Sequence, residues 1–197
     1  MNTPSHVLIN LAIKRAGGKR AASIPWKAFF WGSFMPDIPF GLLSLAATFY
    51  YRIILGNQSP YLMETVLHPL YFNNPLWIAT HNILHAPLAL GTYLFLLWRW
   101  RNRPGKVQNW LYWFFVSCSL HAGIDILTHF DDGPVLFWPL DWSFRFHSPI
   151  SYWDTAHFGS EFMIFELILD AALLGYLLIP IISKWYIRRK DTSKQDA

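Results

Sequence analysis

Residues 107–130 read V-Q-N-W-L-Y-W-F-F-V-S-C-S-L-H-A-G-I-D-I-L-T-H-F, a long apolar run that closes on His121, Asp125 and His129. Four residues is slightly more than one helical turn. Each step of four rotates the side chain by about 40°, so the three residues share a stripe about 80° wide. A carboxylate in so apolar a segment is costly unless it is paired or coordinated. The run therefore predicts a helix with metal-ligating side chains along one edge. The simpler reading is a buried polar link in which a histidine neutralises Asp125.

The same spacing recurs. Five of the eight histidines stand four residues from another potential ligand, with His81 paired to His85 and His157 to Glu161. Grouped imidazoles and carboxylates can hold metal ions, and two such sets suggest a multinuclear centre. Asp37 stands in M-P-D-I-P, where prolines on both sides are expected to keep the backbone extended and aim the carboxylate into a bundle. His6 lies on a short first helix and is a weak candidate by itself. Of His81 and His85, one is expected to bind metal and the other to support it or orient a substrate. His68 and His147 lack a ligand partner at helical spacing and read as loop residues. Glu166 and Asp170, one turn apart, are expected to support the ligands or pair with arginine.

Composition narrows the class. Hydrophobic residues make up 53% of the 197 and charged residues 14%, against about 25% charged in soluble domains. Basic residues cluster at 14–27, 99–106 and from 184 onward, next to apolar segments, as juxtamembrane charges do. A nucleic-acid binder would need a basic face in polar surroundings, so that class is excluded. The single cysteine, Cys118, precludes an internal disulfide and reads as a buried thiol. Residues 1–16 show no signal-peptide pattern, and no phosphate-loop, dinucleotide-binding or nucleophile-elbow motif occurs.

The chain reads as all-α: a helical bundle, integral to a membrane, with about four apolar helices. Helices are expected at 4–16, 26–34, 41–55, 76–100 (bent at Pro87), 107–130 and 154–187 (kinked at Pro180). Loops are expected at 56–75 and 131–151. One domain is expected over 1–187, with a charged disordered tail at 188–197. With all basic clusters on the cytoplasmic side, four crossings would place His81, His85, His129, His157 and Glu161 toward the opposite face.

Several short motifs in the same order resemble the YdjM-type membrane-bound metal-dependent hydrolases. They are P-S-H at 4–6, M-P-D-I-P at 35–39, H-N-I-L-H-A-P at 81–87, H-A-G-I-D-I-L-T-H-F at 121–130, W-P-L-D-W at 138–142 and S-P-I-S-Y-W-D at 148–154. That family resembles in turn the zinc-dependent phospholipase C and nuclease-type enzymes, which are all-α with a trinuclear zinc site.

The resemblance implies His6 as a ligand from the first helix and Asp37 as ligand or general base. It implies His85, or His81, sharing a metal with His121 and Asp125, while His129, His157 and Glu161 hold another. The sequence lacks the first-position Trp of the soluble enzymes, whose amine and carbonyl complete their third site. Two ions therefore follow from the shared ligands, with three as the upper count. The implied function is hydrolysis of a small or lipid-linked phosphoester by metal-activated water, with divalent zinc as cofactor and the lipid bilayer as partner. The implied location is a bacterial inner or plasma membrane, crossed several times. Two other functions fit the same residues: a structural zinc site with a closed shell, and a metal or proton transporter using the His and Asp stripe as a pathway.

Overall fold

A computed structural model describes the backbone of residues 1–195 and the side chains of residues 1–180, 182 and 183. The elements are α1 (Thr3–Ala16), α2 (Trp26–Phe34), α3 (Asp37–Phe49), α4 (His68–Asn73), α5 (Pro75–Asn82), α6 (Pro87–Leu97), α7 (Val107–Thr128) and α8 (Gly159–Gln195). Among the described residues there is no strand. An isolated antiparallel bridge joins Val135 to Arg145.

Prolines explain most of the breaks. Proline lacks an N–H and fits a first helical turn, where that donor has no partner anyway. Pro4, Pro75 and Pro87 all sit in such turns. Ala86 before Pro87 is extended, at φ −66° and ψ 122°. The expected bent helix 76–100 is therefore two helices, α5 and α6, separated by a turn. Around Asp37 the expectation of an extended backbone fails. Pro36 is helical, at φ −53° and ψ −41°, and Asp37 opens α3, with Pro39 in its first turn. Residues expected as a loop at 56–75 include a π-helical turn, Met63–Leu67, that runs into α4.

The centre of the molecule is α7 packed against α2, α1 and α6. Its apolar part joins Ala28, Leu90, Phe114, Cys118 and Ala122. Gly32 of α2 permits the close approach: a Cβ there would lie 2.7 Å from Ser117 Cβ of α7. Ser117 Oγ donates to Phe29 O (2.6 Å), and Asn10 Nδ2 of α1 donates to Ser117 Oγ (2.8 Å), so one buried serine ties three helices. A second apolar cluster, Leu67, Tyr71 and Trp77 with Phe40 and Phe72, is built by α3, α4 and α5. Helix α8 docks on α1 through polar contacts. Glu166 accepts from Asn2 N (2.7 Å) and Asn2 Nδ2 (2.8 Å), and Asp170 accepts from Ser5 Oγ (2.8 Å). These two carboxylates thus pair with α1 rather than with arginine.

Among the described residues two helices, not about four, are long and apolar enough to cross a membrane: α7, and α8 over Gly159–Pro180. Helix α3 has 13 residues and α6 has 11, against about 20 for a span. The backbone of α8 continues past Arg188, into the expected disordered tail, as far as Gln195. No proline or glycine stands there to stop a helix. Residues 196–197 of that tail lie outside the described residues.

Candidate metal centre

The last turns of α7 meet the first turn of α1, the start of α3 and the turn after α5. Asp125, from α7, is the hub. Its Oδ2 lies 3.0 Å from His121 Nε2 and 3.6 Å from His85 Nε2. Its Oδ1 lies 2.9 Å from His6 Nε2 and 3.4 Å from His129 Nε2. Asp37 Oδ1 completes the first side, 3.2 Å from His121 Nε2 and 3.4 Å from His85 Nε2. His6, His85 and His121 are fully buried.

Each ring is held by its other nitrogen or its face. His121 Nδ1 contacts Ser33 O (2.9 Å), and His85 Nδ1 contacts His81 O (2.7 Å). Backbone carbonyls of this kind fix the tautomer with Nδ1 protonated and leave Nε2 free to ligate. The Nε2 atoms of His85 and His121 then face each other at 3.1 Å. Two lone pairs at that separation call for a proton or a cation between them. The His6 ring stacks on His121, with centroids 3.7 Å apart, and neither of its buried nitrogens has an aligned hydrogen-bond partner.

One donor atom from each of Asp37, His85, His121 and Asp125 lies within 4.8 Å of all the others, a set that can hold one metal ion. Mixed imidazole and carboxylate donors suit zinc and other divalent first-row ions. Burial alone raises the Asp37 carboxyl's pKa. The imidazoles of His121 and His85 outweigh it and hold the group well below the usual carboxylate range.

The cluster forms the floor of a cavity of about 670 Å³. Its walls are apolar at Phe40 of α3, Leu67 of the π-helical turn and Trp77 of α5, and polar at His81, Asp132 and Asp154. Burial, followed by the neighbouring His85, pushes His81 well below its usual pKa, so its imidazole is neutral.

The family model described as YdjM inner membrane protein matches residues 1–190. The chain belongs to that family. No curated protein and no solved structure gives a significant match. Membership and the two apolar helices assign this YdjM-family chain to a membrane.

The structure brings together His6, Asp37, His85, His121, Asp125 and His129, drawn from four separate stretches of chain. His81 stacks on His85 at 4.4 Å and lines the cavity beside the cluster. His157 and Glu161 are not drawn in. The expected helix from 154 would have put them on one face. Instead His157 ends a 3₁₀ turn, Thr155–His157, and Phe158 is left-handed at φ 64°, so α8 begins only at Gly159. His157 Nδ1 contacts Asp154 Oδ2 (2.7 Å) and its ring stacks on Phe130, while Glu161 is exposed.

Several residues of the site escaped the sequence reading. Met1 N lies 3.2 Å from Asp125 Oδ1, 3.1 Å from Thr128 Oγ1 and 3.3 Å from His129 Nε2. Asp132 Oδ1 lies 3.1 Å from His129 Nδ1. Its position three residues after His129, in D-D-G, was the available signal. Tyr71 has no such signal; its hydroxyl accepts from Arg145 Nη1 (3.1 Å) and contacts His81 Nδ1 (3.4 Å). His68, read as a loop residue, opens α4 and lines the cavity.

Proposed function

We propose that the protein is a membrane-bound metal-dependent hydrolase that cleaves a phosphoester, with its ions held around Asp125. The observation that carries this reading is the division of Asp125. One oxygen serves the His85, His121 and Asp37 side, the other serves His6 and His129, and both lie at the floor of a cavity. Asp37, His85, His121 and Asp125 would hold one divalent ion, and His6 and His129, on the other oxygen of Asp125, would help hold a second. A divalent ion held there supplies a Lewis acid for a phosphoryl oxygen and lowers the pKa of water.

The chain's own residues do the rest. Asp37 has one oxygen on the cluster. Its other oxygen, Oδ2, accepts from Thr3 Oγ1 at 2.5 Å. Its side chain keeps 32% exposure toward the cavity. It is the carboxylate placed to accept a hydrogen bond from water at the cavity floor and so orient it. His81, neutral and beside the cluster, is placed to hydrogen-bond a bound ester. The apolar wall of Phe40, Leu67 and Trp77 suits the hydrocarbon part of a small or lipid-linked phosphoester.

The test is metal analysis of detergent-purified protein, followed by assays on a panel of phosphodiesters and phospholipids. Stoichiometric zinc together with metal-dependent hydrolysis is the expected result. Stoichiometric zinc with no cleavage of any panel member would instead favour a structural zinc site. Metal flux into proteoliposomes without hydrolysis would favour transport.

A further inference from the structure

The charges of this protein are sorted along its helices. Helices α1, α6 and α8 start at the metal-cluster end and run toward basic residues: Lys14 and Arg15, Arg99 and Arg101, and Lys184 onward. Helices α2 and α7 start beside Lys27 and Lys106 and run back toward Asp37 and Asp125. Of the sixteen lysines and arginines, all but Arg52 and Arg145 belong to the basic end. Of the twelve acids, all but Asp191 and Asp196 belong to the cluster half. Helix α7 separates the two ends by about 33 Å, at 1.5 Å per residue, which is close to the hydrocarbon thickness of a bilayer.

At the cluster end, the segment 137–158 joins α7 to α8 and turns apolar groups outward. Leu140 is 83% exposed, and Phe137, Trp142, Phe144, Trp153 and Phe158 are exposed with it. Its acids are used inside the segment. Asp141 Oδ1 accepts from Ser143 N (2.7 Å) and Phe144 N (3.0 Å), and Asp154 is taken by His157 and Ala156 N. Arg145, the one cation in the segment, is buried and donates to Gly133 O and Tyr71 Oη.

The segment is fastened to the ends of the apolar helices. Phe144 O accepts from Leu136 N (2.9 Å), whose own carbonyl accepts from Leu88 N at the start of α6 (3.2 Å), and Tyr152 N donates to Thr128 O at the end of α7 (2.9 Å). It continues directly into the apolar outer face of α8, where Ile164, Leu167 and Ile168 are exposed. Trp153 and Asp154 also line the cavity that holds the cluster.

We infer that segment 137–158 is a membrane-interface anchor that seats the cavity mouth at the headgroup level of the leaflet away from the basic helix ends. Tryptophan and phenylalanine settle at that level, and lysines and arginines stay on the cytoplasmic side. The metal cluster then lies on the non-cytoplasmic face. This inference rests on charge order, exposure and chain continuity, and stands apart from the hydrolase reading.

The test uses the full chain with Cys118→Ala, carrying one new cysteine at a time. In right-side-out bacterial vesicles, an impermeant maleimide should label Ser143→Cys directly and Asn102→Cys only after permeabilisation. The reverse order, or equal labelling, would overturn the sidedness. In proteoliposomes, a nitroxide on Leu140→Cys should be more accessible to oxygen than to an aqueous nickel chelate, at a depth of about 5–10 Å. Nickel accessibility equal to that at Asn102→Cys would overturn the anchor. Size-exclusion elution and helical circular dichroism of the same preparations check that each variant is folded.

Discussion

Helix α7 has a mean hydropathy of 1.3 over its most apolar window, and that window is 44% buried inside the protein. The corresponding window of α8 has a mean hydropathy of 2.1 and is 6% buried. In water the order would be reversed, because the more apolar helix would seek the core. The inversion is what a lipid surround produces: the more apolar helix faces the acyl chains, and the less apolar one keeps its polar groups inside. On α7 those groups are Asn109, Ser117, His121 and Asp125, all buried. On α8 they are Glu166, buried against Asn2, and Asp170, which accepts from Ser5. One helix carries the buried His and Asp of the candidate centre, and the other turns its apolar face outward.

Substitutions on the two helices should therefore have effects of different kinds. Asp125→Asn on α7 keeps the shape and removes the charge around which four imidazoles gather. Metal affinity should fall by more than about 100-fold, beyond the 10–100-fold typical of groups behind the ligands, and hydrolysis should fall with it. Metal analysis by mass spectrometry reads this directly. Unchanged metal content would remove α7 from the centre.

Leu167→Arg on α8 places a charge on the lipid-facing side of the span. Insertion should become less favourable by about 3 kcal/mol, measured as the membrane-integrated fraction in a translation assay. The protein that does insert should bind metal as the parent chain does. A loss of metal binding in that fraction would mean that this face of α8 packs on the centre after all.

Gly32→Ala tests the α2–α7 contact. The added Cβ meets the backbone carbonyl of Phe114 as well as Ser117 Cβ, and overpacking of this kind costs about 1–3 kcal/mol or more. A fall of several degrees in melting temperature in detergent is expected. Gly175→Ala is the matching change on α8. Its Cβ would meet Ile179 Cδ1 at 3.8 Å, an ordinary contact. Helix propensity then predicts a gain of about 0.5–1 kcal/mol, or no change. A drop equal to that of Gly32→Ala would erase the contrast between the helices.

His121 and Asp125 were legible because their spacing in an apolar run is a local pattern with one helical interpretation; His129, expected on the same stripe, instead follows the end of α7 in an extended conformation, at φ −124° and ψ 124°. The basic helix ends were legible for the same reason. The pairing of His157 with Glu161 was legible only if one helix covered both, and Phe158 in the left-handed region breaks that condition. The extent of membrane spanning was overread at α3 and α6. There the apolar stretches are real, but the helical segments are short.

The sequence by itself determined that the chain is helical and apolar, with His121 and Asp125 on one face of its central helix and basic groups at one end of its helices. These follow from periodicity and composition, which act over a few turns. Only the tertiary structure decided that His6 and Asp37 meet that stripe, that Met1 N and Asp132 join it, and that His157 turns away. It alone decided that α7 is the inner helix and α8 the outer one. Those outcomes depend on which backbones can approach closely, as Gly32 lets α2 approach α7, and on which buried polar groups find partners across the fold.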